Sequence, residues 1–214
     1  MARISVIGGT GYAGRAIVQE AAARGHSVTS LSRKEPAEPV AGVTYTTGSA
    51  LDLADLAEAT AGADAIIGAL SPRGPMEGQV RGAVDKLIDL ADTQNARLGV
   101  IVGAGSLLTA PLGPRVMDTP EFPAAVVPEA EEMTQVLEDL AASPASLRWF
   151  AVSPAGGFGA HAPGSRTGQY RVGGDVLLVD AAGQSYISAE DLAVAVVDEI
   201  ERPAHERARF TVAY

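Results

Sequence analysis

The sequence predicts an α/β fold built on a doubly wound parallel sheet, within a single domain spanning residues 1–214. Three observations carry that expectation. Short β-branched runs alternate along the chain with amphipathic stretches of helical period. The runs are almost continuously apolar, as strands covered on both faces require. The first run leads into a glycine-rich turn, "VIGGTGYAGR", that opens a helix-like segment.

Residues 4–7 form the first strand-like run, and residues 12–24 a helix with Ala13, Ile17 and Ala21 on one face, ending at Gly25. Strands follow over residues 27–31 and 43–47. A helix over residues 51–61 turns Leu53, Leu56 and Ala57 inward. The run "DAIIGAL" (residues 64–70) is a buried strand. The next helix, residues 78–93, aligns Val80, Val84, Leu87 and Ile88. Residues 98–102 make the fifth strand, residues 128–142 a helix and residues 147–152 the next strand. Ser188 and Asp191 fit a capping box and Ile187 with Leu192 a hydrophobic staple, opening a last helix whose inner face is Leu192, Val196 and Ile200. "ARFTVAY" supplies a final strand. Two stretches break the rhythm: residues 107–128, with five prolines, and the glycine-rich residues 156–174, which hold His161, Arg166 and Tyr170. Irregular insertions of that length in a compact domain are characteristic of substrate loops.

Composition narrows the function. With 47% hydrophobic residues the chain can bury one sizeable core. A net charge of −10 and only two lysines, Lys34 and Lys86, argue against a nucleic-acid partner, which needs clustered cations. There are no cysteines, which excludes disulfides, thiolate catalysis and cysteine-type metal sites. Three scattered histidines (His26, His161, His205), and an Asp118–Glu121 pair with no histidine beside it, give no metal-ligand pattern. No apolar run reaches the ~20 residues that span a bilayer, and the first residues lack a signal-peptide layout, so a cytoplasmic protein with no membrane partner is expected.

The glycine turn points to a dinucleotide. Gly8 permits the tight turn, Gly11 lets a diphosphate approach the backbone, and Gly14 lets the helix pack against the strand. Free amides and the positive helix end then face the phosphates. An acid at the end of the second strand would hold a ribose 2′-hydroxyl; here Ser32-Arg33-Lys34 stands instead. Arg33 suits a 2′-phosphate, with Ser32 as second donor, which favours NADP(H) while leaving NAD(H) open.

"IGGTGYAG", "GADAIIGAL", "VIVGAGSL" and "FAVSPAGGF" resemble an atypical short-chain dehydrogenase/reductase of the NAD(P)H-binding type. "TPEFP", "PGSRTGQYRVGGDVLLVD" and "GQSYISAEDLAVAVVDEIERPAH" are similar to the bacterial NADH-flavin reductase group, and more distantly to animal biliverdin/flavin reductases. The resemblance covers essentially the whole chain. It implies a Rossmann sheet of about seven strands, a nicotinamide cofactor across the strand ends, and flavin (FMN or FAD) or a similar flat small molecule as acceptor. By position it implies that Gly8, Thr10, Gly11, Tyr12 and Ala13 line the diphosphate and Arg33 the 2′-phosphate. Ala69, Leu70 and Ser71 fall beside the adenosine and ribose. Gly105 and Ser106 fall on the nicotinamide side, and Ser153, Pro154 and Ala155 against the carboxamide.

The chain also departs from these relatives. Standard members of the superfamily use a tyrosine with a lysine four residues later, whereas Tyr12, Tyr45, Tyr170 and Tyr186 are followed by Ala16, Ser49, Gly174 and Glu190, and Tyr214 has no such successor. Alcohol–ketone chemistry thus lacks its general acid, while flavin reduction, which needs stacking and orientation, does not require one. Gly48-Ser49 replaces a Gly-Asp that contacts adenine. His161 can stand in for a histidine of the animal enzymes or be a surface-loop residue. Ser106 can donate to the acceptor or cap a turn, and Arg166 and Tyr170 can hold an anionic substituent or tie their loop to the sheet. A nucleotide-binding redox sensor and a reductase of quinones or small enones are the rival readings.

Overall fold

A computed structural model describes residues 1–214. Eight strands, β1 (Arg3–Ile7), β2 (Ser27–Ser32), β3 (Val43–Thr47), β4 (Ala65–Gly68), β5 (Arg97–Ile101), β6 (Trp149–Ser153), β7 (Arg171–Gly173) and β8 (Ala208–Ala213), form one sheet. Their order is β3-β2-β1-β4-β5-β6-β8-β7, and only β7 runs antiparallel to its neighbour. Successive side chains of a strand point to opposite faces, and here both faces are covered. On β4, Ile66 joins one hydrophobic layer and Ile67 the other. Both are fully buried, each worth about 1.5–3 kcal/mol.

One layer holds α2 (Leu53–Thr60), α3 (Val80–Gln94) and α4 (Val127–Ala142). The other holds α1 (Tyr12–Ala23) and α5 (Ala189–Glu201), which pack against each other and contribute Ile17, Ala21, Leu192 and Val196 to one apolar cluster. The helix ends follow local chemistry. Asp52 caps α2 by accepting from the backbone N–H groups of Ala54 and Asp55 at 2.8 and 3.2 Å. Left-handed Asn95 (φ 55°) terminates α3.

Three expectations change. Leu53 is 53% exposed and does not face inward, because it lies one turn ahead of the buried stripe formed by Leu56, Ala59 and Thr60. The glycine-rich stretch contains the edge strand β7, whose three residues are too few to give a periodic signal. The capping box is half made. Ser188 Oγ accepts from the Asp191 N–H at 3.0 Å, but the Asp191 carboxylate faces the 156–174 loop.

In this strand order β1 lies between β2 and β4, so the connections leave it in opposite directions. Such a reversal opens a crevice at the carboxyl ends of the strands. The loops after β1 to β6 all reach that crevice.

Candidate functional site

The crevice is a cavity of about 770 Å³. Its floor begins at the glycine turn. Gly8 adopts φ +89°, and a Cβ there would lie 2.5 Å from the Ala69 carbonyl oxygen, so only glycine fits. A Cβ on Gly14 would lie 2.2 Å from Gly8 O, and one on Gly9 would lie 2.2 Å from Ser30 Oγ. Gly14 and the previously unassigned Gly9 therefore set the close approach of α1 to the sheet, and neither lines the cavity. Gly11 caps α1 without any side-chain hydrogen bond. The first-turn amides of Tyr12, Ala13 and Gly14 have no intrahelical acceptor, at the positive end of the helix dipole. A turn of bare backbone at a helix N-terminus, held tight by glycines that no Cβ could replace without a shift, fits a diphosphate.

At the end of β2, Ser32 Oγ accepts from the Thr10 N–H at 3.0 Å, leaving the hydroxyl proton free to donate outward. Arg33 lines the same end, exposed. It is the one arginine in the chain without a hydrogen bond or ion pair. Beside it lie Gly48 and Ala50, where the Ser49 N–H donates to Asp55 Oδ2 at 2.7 Å and fixes the loop. Ala69, Leu70 and Ser71 continue the lining after β4, and Gly105, Pro154 and Ala155 after β5 and β6. Ser153 does not reach the cavity. It is fully buried, and its hydroxyl donates to the Gly103 carbonyl at 3.0 Å, locking the β5 and β6 ends together.

The residues expected on the acceptor side are placed differently. Ser106 lies outside the lining, and its Oγ accepts at 2.7 Å from Arg209, whose guanidinium also binds Asp175. A catalytic role for Ser106 does not fit that placement. Arg166 and Tyr170 are also away from the cavity. Arg166 pairs with Glu20 on α1 at 3.1 Å, and the Tyr170 hydroxyl donates to Asp198 on α5 at 2.6 Å. Burial and the Asp198 carboxylate push the Tyr170 phenol well above its ordinary range. Both residues tie the loop down, and neither lines the cavity. His161 does line the cavity, at its exposed rim.

The remaining wall consists of residues with no motif of their own: Phe122, Val126, Ala130 and Met133 on one side and Phe158 on the other. Phe158 packs on Tyr12 with ring centroids 5.2 Å apart and planes tilted by 56°. Phe122 and Phe158 fall inside "TPEFP" and "FAVSPAGGF", the only advance signal for them. Arg73 and Glu129 close this end through a 2.6 Å ion pair. No group of three or more His, Asp or Glu side chains is placed to hold a metal, and no helix is long and apolar enough to cross a membrane.

The reversal crevice, the glycine cradle at α1 and the cation after β2 define a Rossmann-type dinucleotide-binding protein. A family described as NAD(P)H-binding matches residues 8–203, and the chain belongs to it. The uncharacterized protein YwnB of Bacillus subtilis (strain 168) is 39% identical over 212 residues, 98% of this chain and 97% of its own length. A solved structure from Bacteroides thetaiotaomicron, described as a "putative epimerase", superposes with a TM-score of 0.88 at 33% identity, covering 100% and 97% of the two chains. The "putative NADH-flavin reductase" of Streptococcus pneumoniae TIGR4 gives 0.82 at 32% identity, covering 100% and 99%.

Proposed function

We propose that the protein is an NADPH-dependent reductase that delivers a hydride directly to a planar acceptor, of which free flavin is the model. One observation carries the reading. Beyond the nucleotide track the cavity continues into an apolar end that holds no tyrosine–lysine pair: Tyr12 is its only tyrosine, and no lysine lines it. Reduction of a ketone needs a proton donor at the carbonyl oxygen, and epimerisation through an alcohol needs the matching base. A flavin accepts hydride at N5 and takes its remaining proton from water, so the protein has only to stack and orient it.

When bound, the nicotinamide nucleotide supplies the hydride and its electron pair. The chain supplies binding and order. Amides of the first turn of α1 hold the diphosphate, and Arg33 with the Ser32 hydroxyl grips a 2′-phosphate. Gly105, Pro154 and Ala155 bring backbone close to the ring that reacts. Phe122, Met133 and Phe158 exclude water from the face on which the acceptor stacks. The streptococcal relative's description as an NADH-flavin reductase supports the same reading.

The test is loss of NADPH absorbance on adding riboflavin, FMN, FAD or a quinone. Acceptor-dependent oxidation is expected. Tight NADPH binding with no turnover on any of them would overturn the reductase in favour of a nucleotide-binding sensor.

A further inference from the structure

The Arg73–Glu129 ion pair is more than a rim contact. Arg73, Glu129, Pro72 and Val126 line both the nucleotide cavity and a second cavity of about 810 Å³, so they form the wall between the two. The second cavity lies against the first turns of α3 and α4 and is polar and acidic. Four glutamates (Glu77, Glu129, Glu131, Glu132) face two arginines. Neither arginine is free: Arg73 is held by Glu129 at 2.6 Å and Arg81 by Asp139 at 2.6 Å. Glu132, almost fully buried, is fixed as an acceptor of the Gly78 and Arg81 N–H groups at 2.8 and 3.1 Å.

Inside the nucleotide cavity the only fully charged side chains are Arg33, Arg73 and Glu129, and His161 at the rim is the other ionisable group apart from Tyr12. The one unpaired cation, Arg33, stands at the opposite end, after β2. An anionic group carried by the acceptor would therefore find Arg73 already neutralised and a row of carboxylates behind it, on a chain of net charge −10. Resting on the reductase reading above, we infer that the acceptor is an uncharged planar ring system, of the riboflavin or quinone kind, and that Glu129 enforces this by occupying Arg73.

Riboflavin and FMN share one ring and differ by a single phosphate, which makes them the probes. Each is titrated into the protein saturated with NADP⁺, and quenching of flavin fluorescence reads binding without turnover. Riboflavin should bind about tenfold or more tightly than FMN at low salt, with the gap narrowing as salt screens the carboxylates. Glu129→Gln should release Arg73 and erase the gap by strengthening FMN, whereas Arg73→Ala should widen it. Equal or tighter FMN binding by the unaltered protein, or no quenching by either flavin, would overturn the inference. A riboflavin preference without NADPH oxidation would remove the reductase and leave the preference standing. Oxidation that favours FMN would do the reverse.

Discussion

The backbone N–H of Thr10 donates to Ser32 Oγ at 3.0 Å, so the glycine turn after β1 and the end of β2 are one hydrogen-bonded unit. The proposed cradle for a diphosphate and the residue proposed to grip a 2′-phosphate are thereby linked, and Arg33, next in sequence, has no other side-chain partner. Replacing Arg33 by Ala should remove a charge-assisted contact of about 1.5–3 kcal/mol, weakening NADPH roughly 10- to 100-fold. NADH affinity should scarcely change. Calorimetric titration of both nucleotides against both proteins measures this, and parallel losses for the two would refute the 2′-phosphate assignment.

Gly14 tests the cradle itself. An alanine methyl there would lie 2.2 Å from the Gly8 carbonyl oxygen, a backbone contact that no side-chain rotation relieves. The turn has to shift, at a cost of about 1–3 kcal/mol of stability, with loss of nucleotide binding. Thermal unfolding with and without NADPH separates the two effects. A Gly14→Ala protein that NADPH stabilises as well as the parent would show that the turn does not touch the nucleotide.

Asp191 is fully buried and accepts from Thr167 N–H and Oγ–H, Gly168 N–H and the Tyr214 hydroxyl, at 2.6–3.1 Å. Burial pushes its carboxyl upward, but the hydrogen bonds from Tyr214 and Thr167 outweigh that and leave it below the usual carboxylate range. A depressed folded value means that the contribution is fully present above the unfolded carboxylate's pKa of about 4 and is lost as pH falls through the folded value. Asp191→Ala, which strands these donors, should destabilise by about 3 kcal/mol at neutral pH. The difference between the two proteins should shrink on acidification below about pH 4. A pH-independent difference in urea unfolding would contradict this.

Tyr170 separates loop anchoring from substrate contact. Its hydroxyl donates to Asp198, which also binds Arg24 at 2.7 Å, so Tyr170→Phe leaves the carboxylate paired. A loss of about 1 kcal/mol in stability is expected, with the acceptor's KM unchanged. A raised KM at unaltered stability would return Tyr170 to the substrate site.

The sheet was legible because parallel strands buried on both faces appear as unbroken apolar runs, and β4 shows this most clearly. The cavity floor was legible because its residues lie close in sequence: Gly8 and Gly11 follow β1 directly, and Ser32 and Arg33 stand at the end of β2. The apolar wall was not, since Phe122, Met133 and Phe158 come to one cavity only in three dimensions. Ser106 follows β5 where a reacting hydroxyl is expected, yet Arg209, 103 residues away, claims its oxygen. Arg166 and Tyr170 likewise take their meaning from Glu20 and Asp198, on helices that no spacing along the chain connects to them.

The tethering of the stretch after β6 bears on how molecules come and go. Gly156 and Gly157 N–H groups bind Ser185, Ala162 O accepts from Tyr186, and Thr167 and Tyr170 are fastened to α5. That flank is fastened at five points along residues 156–170, to α5 and to the segment that leads into it, so it stands as a fixed wall of the cavity and not as a free cover. Across the cavity, by contrast, the loop after β4 is joined to α4 by one exposed ion pair, between Arg73 and Glu129.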